Sequence, residues 1–138
     1  MPNKEELRSG LRHSESISVT RELTVPEISP AFTGLADMPP VFATAYLLAF
    51  VEWTCLELVK SYLEHGERTV GTAISMQHMA ATPIGMTATA EVELTVVNGR
   101  MLEFCFTCRD GAEIIAKGTH GRAIINVERF MDRLAQKR

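Results

Sequence analysis

Glu52 stands alone as a charge in the run PPVFATAYLLAFVEWTCL, residues 39–56. A carboxylate inside a helix that is apolar on nearly every side costs free energy unless something pairs with it. Two readings are open at this point. Glu52 is a structural partner for a nearby cation, or it is a base or nucleophile kept in a cleft. His78 is the natural companion. It alternates with Val70, Thr72, Ile74 and Met76, so a regular strand presents it on the face turned toward the helix. A lone imidazole on an apolar face is more often a satisfied core residue than a catalyst. A carboxylate and an imidazole intruding into the same apolar surroundings are equipment for acid–base work or nucleophile activation.

Thr44 opens the helix eight residues before Glu52. Its bland role is to cap free backbone N–H groups. Eight residues of straight helix rise about 12 Å, so Thr44 and Glu52 of one helix cannot touch. If both serve one site, the helix is broken or the site is assembled across a twofold axis, which is a geometric argument for a dimer. Arg122 shares a strand face with His120, two residues away, and reads equally well as a surface charge. Gly71 and Gly121 interrupt strands, where glycine weakens pairing unless something approaches closely. His13 and His65 read as exposed bystanders.

The three cysteines, Cys55, Cys105 and Cys108, are odd in number and do not form a disulfide framework. CFTC has CxxC spacing, but residues three apart on a strand point to opposite faces, so these are structural thiols and no metal site is expected. No phosphate-binding loop, dinucleotide fingerprint, nucleophile elbow or zinc pattern occurs.

These residues must be held by a small set of elements. Residues 1–15 read as a loose arm and 17–26 as a strand. A Pro- and Gly-rich loop follows, then a long apolar helix over about 41–64, stopped near Gly66. Period-two strands follow at 68–82, 87–97, 100–108 and 112–127, with Asn98-Gly99 and Asp110-Gly111 as turns, and a short helix ends the chain. A helix apolar nearly all round must be covered on most sides. A curved antiparallel sheet wrapped around it does so, which is the α+β architecture called a hotdog, in a single domain over residues 1–138.

Composition is ordinary for a globular chain, with 46% hydrophobic residues and a net charge of −3. That balance speaks against nucleic acid as the main partner. The polar N-terminus lacks the apolar stretch of a signal peptide, and the run around Glu52 is too short and too polar to span a membrane, so a cytoplasmic protein is expected.

Three stretches, VFATAYLLAFVEWTC, VGTAISMQHMAATPIGM and GTHGRAIINVERF, resemble the fluoroacetyl-CoA thioesterase-like family of hotdog proteins. The similarity runs from about residue 17 to 135 with the order and spacing of all three blocks kept. The resemblance implies a homodimeric acyl-CoA thioesterase that needs no cofactor or metal. Its catalytic Thr, Glu and His fall on Thr44, Glu52 and His78, its substrate-contacting Gly on Gly71 and its Arg on Arg122. The two phenylalanines of the fluoroacetate-specific enzyme fall on Leu35 and Met38, so the resemblance implies a small or medium acyl-CoA without a fluorine-reading aromatic gate. Two rival functions remain at this stage. One is a hotdog hydratase or dehydratase acting on acyl thioesters, and the other a non-catalytic acyl-CoA binder.

Overall fold

Alternation of apolar residues with a period of two builds most of this molecule. The computed structural model describes residues 2–138, and five strands form one antiparallel sheet. They are β1 Arg12–Ser18, β2 Glu67–His78, β3 Thr87–Asn98, β4 Met101–Arg109 and β5 Ile114–Asn126, in the order β1-β3-β4-β5-β2. The two turns are set by their residues. Gly99 takes the left-handed φ of +61° that closes β3 onto β4. Before β5, Asp110 Oδ1 accepts from the backbone N–H groups of Ala112 and Glu113 at 2.8 and 3.0 Å.

The helix α1, Thr44–Val59, lies against the concave face of the sheet. It buries Leu47, Phe50, Val51, Cys55, Leu58 and Val59 against the inward rows Ala88, Ala90, Val92, Leu94 of β3 and Leu102, Phe104, Phe106, Cys108 of β4. Each large side chain fully buried there contributes about 1.5–3 kcal/mol. Cys105 lies on the opposite face from Cys108, as strand alternation requires. All three cysteines are free, and burial pushes the Cys55 and Cys108 thiols up to about 12. A sheet wrapped on one long helix is the hotdog architecture.

Three local expectations are corrected. The arm over residues 1–15 is not loose: Lys4–Glu6 forms a 3-10 turn, Leu7 is buried, and β1 begins at Arg12. An ion pair from Lys4 to Glu67 pins that turn to the start of β2. The first strand ends at Ser18 rather than reaching residue 26. Its expected second half folds as the 3-10 turns Arg21–Leu23 and Val25–Glu27, the latter holding Pro26, which has no N–H for a ladder. Finally, β2 does not keep one alternation along its length. A bulge shifts its register between Gly71 and Ala73, so Gly71 pairs with Arg122 while His78 pairs with Ala116. Directly opposed residues share a face, and Arg122 and Ala116 are both inward and buried. Gly71 and His78 therefore both face α1 although they are an odd number of positions apart, and Val70 and Thr72 do not share the His78 face.

The loop before α1 is fastened at its base by bridges Thr24↔Phe42 and Val41↔Pro83. At its tip a 3-10 turn, Leu35–Asp37, leaves Leu35 half-buried and Met38 exposed. After β5 the helix α2, Val127–Ala135, is capped by the Asn126 side chain, which accepts from the Arg129 N–H at 3.0 Å. No helix of the described residues is long and apolar enough to cross a membrane.

Candidate active site

Thr44 is the first residue of α1, and the preceding cap position is Ala43, which offers no side-chain oxygen. The Thr44 hydroxyl is not spent on capping the helix. It lies 2.8 Å from Nδ1 of His78, the last residue of β2. The strand thus ends beside the helix start, and the first-turn N–H groups of α1 remain without a side-chain acceptor. Burial lowers the His78 pKa below its ordinary 6.5, more than the nearby Ala80 backbone raises it, so the ring is neutral at neutral pH. Its other nitrogen, Nε2, is buried with no hydrogen-bond partner among the described residues. An orphaned buried nitrogen marks a place where something else docks.

Glu52 sits two turns further along α1, with its side chain 38% exposed. Its Oε2 accepts from Arg122 Nη1 at 3.1 Å. Arg122, read from sequence as equally consistent with a surface charge, is 5% exposed. Its Nε donates to Thr69 Oγ1 at 2.8 Å and Nη2 to the Thr69 carbonyl at 2.9 Å. Nη1 also donates to His120 Nε2 at 3.1 Å. Four of the five guanidinium N–H groups thereby meet protein acceptors. His120 Nε2 stands 3.9 Å from Glu52 Oε2. That contact is not an ion pair, because burial holds the His120 pKa below its ordinary value.

Gly71 explains how the carboxylate reaches its cation. A Cβ on Gly71 would stand 2.6 Å from Glu52 Oε2, 3.5 Å from His120 Cε1 and 3.6 Å from Arg122 Nη1. The hydrogen at this position is what gives Glu52 room. The expected residues therefore fall into two groups within one chain: Thr44 with His78, and Glu52 with Arg122 beside Gly71. No hydrogen bond or ion pair among the described residues of the chain joins Glu52 to Thr44 or His78. Leu35 and Met38 stand apart, in the loop leading into α1. Sequence reasoning gave His120 a face shared with Arg122 but no role. The two-residue spacing was the available signal, and the burial of both side chains was not readable. Among the described residues, no group of three or more His, Cys, Asp or Glu side chains is placed to hold a metal ion.

A curved sheet on a single long helix, with Thr44 and Glu52 on that helix and His78 at the end of β2, is a hotdog protein carrying an acid–base set of side chains. The chain belongs to the fluoroacetyl-CoA-specific thioesterase family, whose model matches residues 15–128. The fluoroacetyl-CoA thioesterase of Streptantibioticus cattleyicolor is 40% identical over 134 residues, which cover 97% of this chain and 96% of that protein. A solved structure of the fluoroacetyl-CoA thioesterase FlK superposes with a TM-score of 0.93 at 39% identity, over 96% of this chain and 98% of its own. A mutant of that enzyme in complex with fluoroacetate and CoA gives 0.88 at 40% identity, over 90% of this chain and 99% of its own. A thioesterase superfamily member from Thermus thermophilus shares the fold, with a TM-score of 0.83 at 22% identity over 94% of each chain.

Proposed function

We propose that this chain hydrolyses a small or medium acyl-CoA to the free acid and CoA, as a cytoplasmic homodimer whose two active sites each draw residues from both subunits. The observation that carries the reading is the separation of the site into two half-sets. Thr44 and His78 lie at one end of α1 and Glu52 with Arg122 two turns away, each incomplete alone. The surface around them supports a second copy. β2 is an edge strand with Gly71, Thr72, Ala73, Ser75 and Gln77 exposed, and α1 leaves Ala45, Ala49 and Trp53 uncovered, Trp53 at 40%. Long open edges and apolar helix faces are what pairing covers. Two α1 helices packed antiparallel about a twofold axis bring Thr44 and His78 of one chain toward Glu52 of the other. The three free cysteines suit a reducing compartment.

In the proposed reaction Glu52 acts through Oε1, the oxygen Arg122 leaves free. It attacks the thioester carbonyl to give an acyl anhydride that water then opens, or it takes a proton from the water that attacks. Both routes consume one water and release the carboxylic acid and the CoA thiol. On the direct route the proton that Glu52 takes from the attacking water passes through neutral His78 to the departing sulfur. On the anhydride route the thiolate leaves first and is protonated from solvent, and His78 then takes a proton from the water that opens the anhydride and releases it to solvent. Thr44 and the open N–H groups at the start of α1 hold the carbonyl oxygen as it gains charge. Arg122, with four donors taken, acts through Glu52 rather than on the substrate, and Gly71 keeps the space through which the carboxylate is reached. Leu35 and Met38 line the approach to the acyl group.

The test is release of free CoA thiol from a panel of acyl-CoAs that includes acetyl-CoA and fluoroacetyl-CoA, with wild type and Glu52→Gln side by side. The reading predicts thiol release by wild type and a loss of at least about 10²-fold in the variant. It also predicts similar kcat/KM for the acetyl and fluoroacetyl thioesters, since aliphatic side chains occupy positions 35 and 38. Hydration of an enoyl thioester without thiol release, or a fully active Glu52→Gln, contradicts it.

A further inference from the structure

His120 has no part in the chemistry just described, yet it is 3% exposed and every polar atom it carries is engaged. We propose that His120 is the positioning residue of this site, aiming the Arg122 guanidinium so that one of its N–H groups grips Glu52 by a single oxygen. The inference rests on the reading of Glu52 as the reacting carboxylate.

The donor pattern has one solution. His120 Nδ1 is 2.7 Å from the Ala73 carbonyl, which can only accept, so Nδ1 carries the proton. Nε2 lies 3.1 Å from Arg122 Nη1, which can only donate, so Nε2 presents its lone pair. A protonated ring would set N–H against N–H and place two cations in contact away from water. Burial is the largest influence and favours the same neutral form; it outweighs the opposing Ala73 hydrogen bond, and the Arg122 charge adds to it against the weaker pull of Glu52. The ring plane is held by the Phe104 ring, stacked at 6.3 Å between centroids and fully buried.

This fixed acceptor determines where Arg122 points. Nη1 has two N–H groups diverging at about 120° in the guanidinium plane. One enters His120 and the other enters Glu52 Oε2. Thr69 holds the opposite side of the guanidinium through Nε and Nη2. Without the His120 lone pair, Nη1 keeps a buried donor with no partner, and the side chain turns to relieve it. Glu52 then loses the contact that singles out Oε2. The anchor for the ring is itself placed by the bulge in β2, because Ala73 is the residue at which the ladder resumes after the register shift. A glycine, a bulge, an imidazole and a guanidinium thus form one support for one carboxylate.

The experiment is steady-state hydrolysis of acetyl-CoA by the full chain, comparing wild type, His120→Leu, His120→Gln and Glu52→Gln, with thermal melting of each. An amide keeps one donor and one acceptor; leucine keeps neither. His120→Leu is expected to lose kcat by about tenfold or more with KM within about twofold, because small misplacements of a reacting group are felt mainly in the transition state. His120→Gln is expected to recover kcat to within about fivefold of wild type. Wild-type kcat in a folded His120→Leu, a loss confined to KM, or equal losses in the leucine and glutamine variants overturns the assignment. If His120→Leu does not fold, nitrogen NMR of the wild-type ring decides: a proton on Nδ1 with free Nε2 supports the proposal, and a proton on Nε2 overturns it. Glu52→Gln separates the two failures. An active Glu52→Gln defeats the underlying reading, whereas an inactive one beside a fully active His120→Leu defeats only this inference.

Discussion

Gly71 lies against the Glu52 carboxylate so closely that the smallest side chain would collide with it: a Cβ there would stand 2.6 Å from Oε2. The backbone at Gly71 is not left-handed, so alanine fits the strand without strain. Glycine-to-alanine changes at such positions are neutral or stabilise by about 0.4–1 kcal/mol. The atom in the way is the end of a flexible side chain, and it moves. That gain is offset because the displaced carboxylate leaves a buried Arg122 N–H without its acceptor, so Gly71→Ala should lower the melting temperature slightly while kcat falls by about 10–10²-fold. Melting curves and initial rates on one preparation check it; an undiminished kcat would show that Glu52 needs no exact place.

His78→Ala removes the ring that Thr44 contacts and deletes a buried nitrogen with no partner. We expect a rate loss of about 10²-fold or more, the size of a positioned acid–base group. The removed atom was unsatisfied, which offsets part of the lost packing, so the fold should survive. A variant that melts early yet keeps its rate per folded molecule would make His78 a core residue only.

Acid should destabilise the protein before its carboxylates titrate. His78 and His120 both have pKa values lowered from 6.5, by burial first of all. Below about pH 6.5 the unfolded chain takes up protons that the folded chain refuses. Stability is therefore full above 6.5 and declines as pH falls through the two lowered values. Glu67 and Asp110, held below the ordinary carboxylate values of 4.5 and 3.8 mainly by hydrogen bonds that outweigh burial, add their losses only at lower pH. Melting temperatures between pH 7.5 and 5 should fall, and His120→Gln should flatten the slope. A flat wild-type profile would mean that neither ring is kept neutral.

The fold was legible where one physical signal governs. Alternation in β3 and β4, the Asn98-Gly99 turn and the apolar run of α1 each follow from local chemistry. β1 escaped because it is an edge strand of hydroxyl and charged residues, with no apolar row to set a period. The face of Gly71 escaped because a bulge changes the phase of β2, and counting by twos from His78 assigns the face turned away from α1. Glu52 was recognisable as anomalous from its neighbours alone. Its cation was not, since Arg122 is 70 residues away and meets it only through the β2–β5 pairing. His78 was expected beside Glu52, and within one chain its partner is Thr44.

That last relationship sets the most direct test of the account, because the proposed function requires the two half-sets of one chain to be completed by a second. His78→Ala and Glu52→Gln proteins, each inactive alone, are mixed and allowed to exchange subunits, and CoA release is measured as exchange proceeds. Each heterodimer then contains one site with both defects and one site with neither. The account predicts that activity returns with exchange, reaching half the wild-type value per heterodimer. Proven exchange with no return of activity would contradict it, and would place Glu52 and His78 in the same subunit's site.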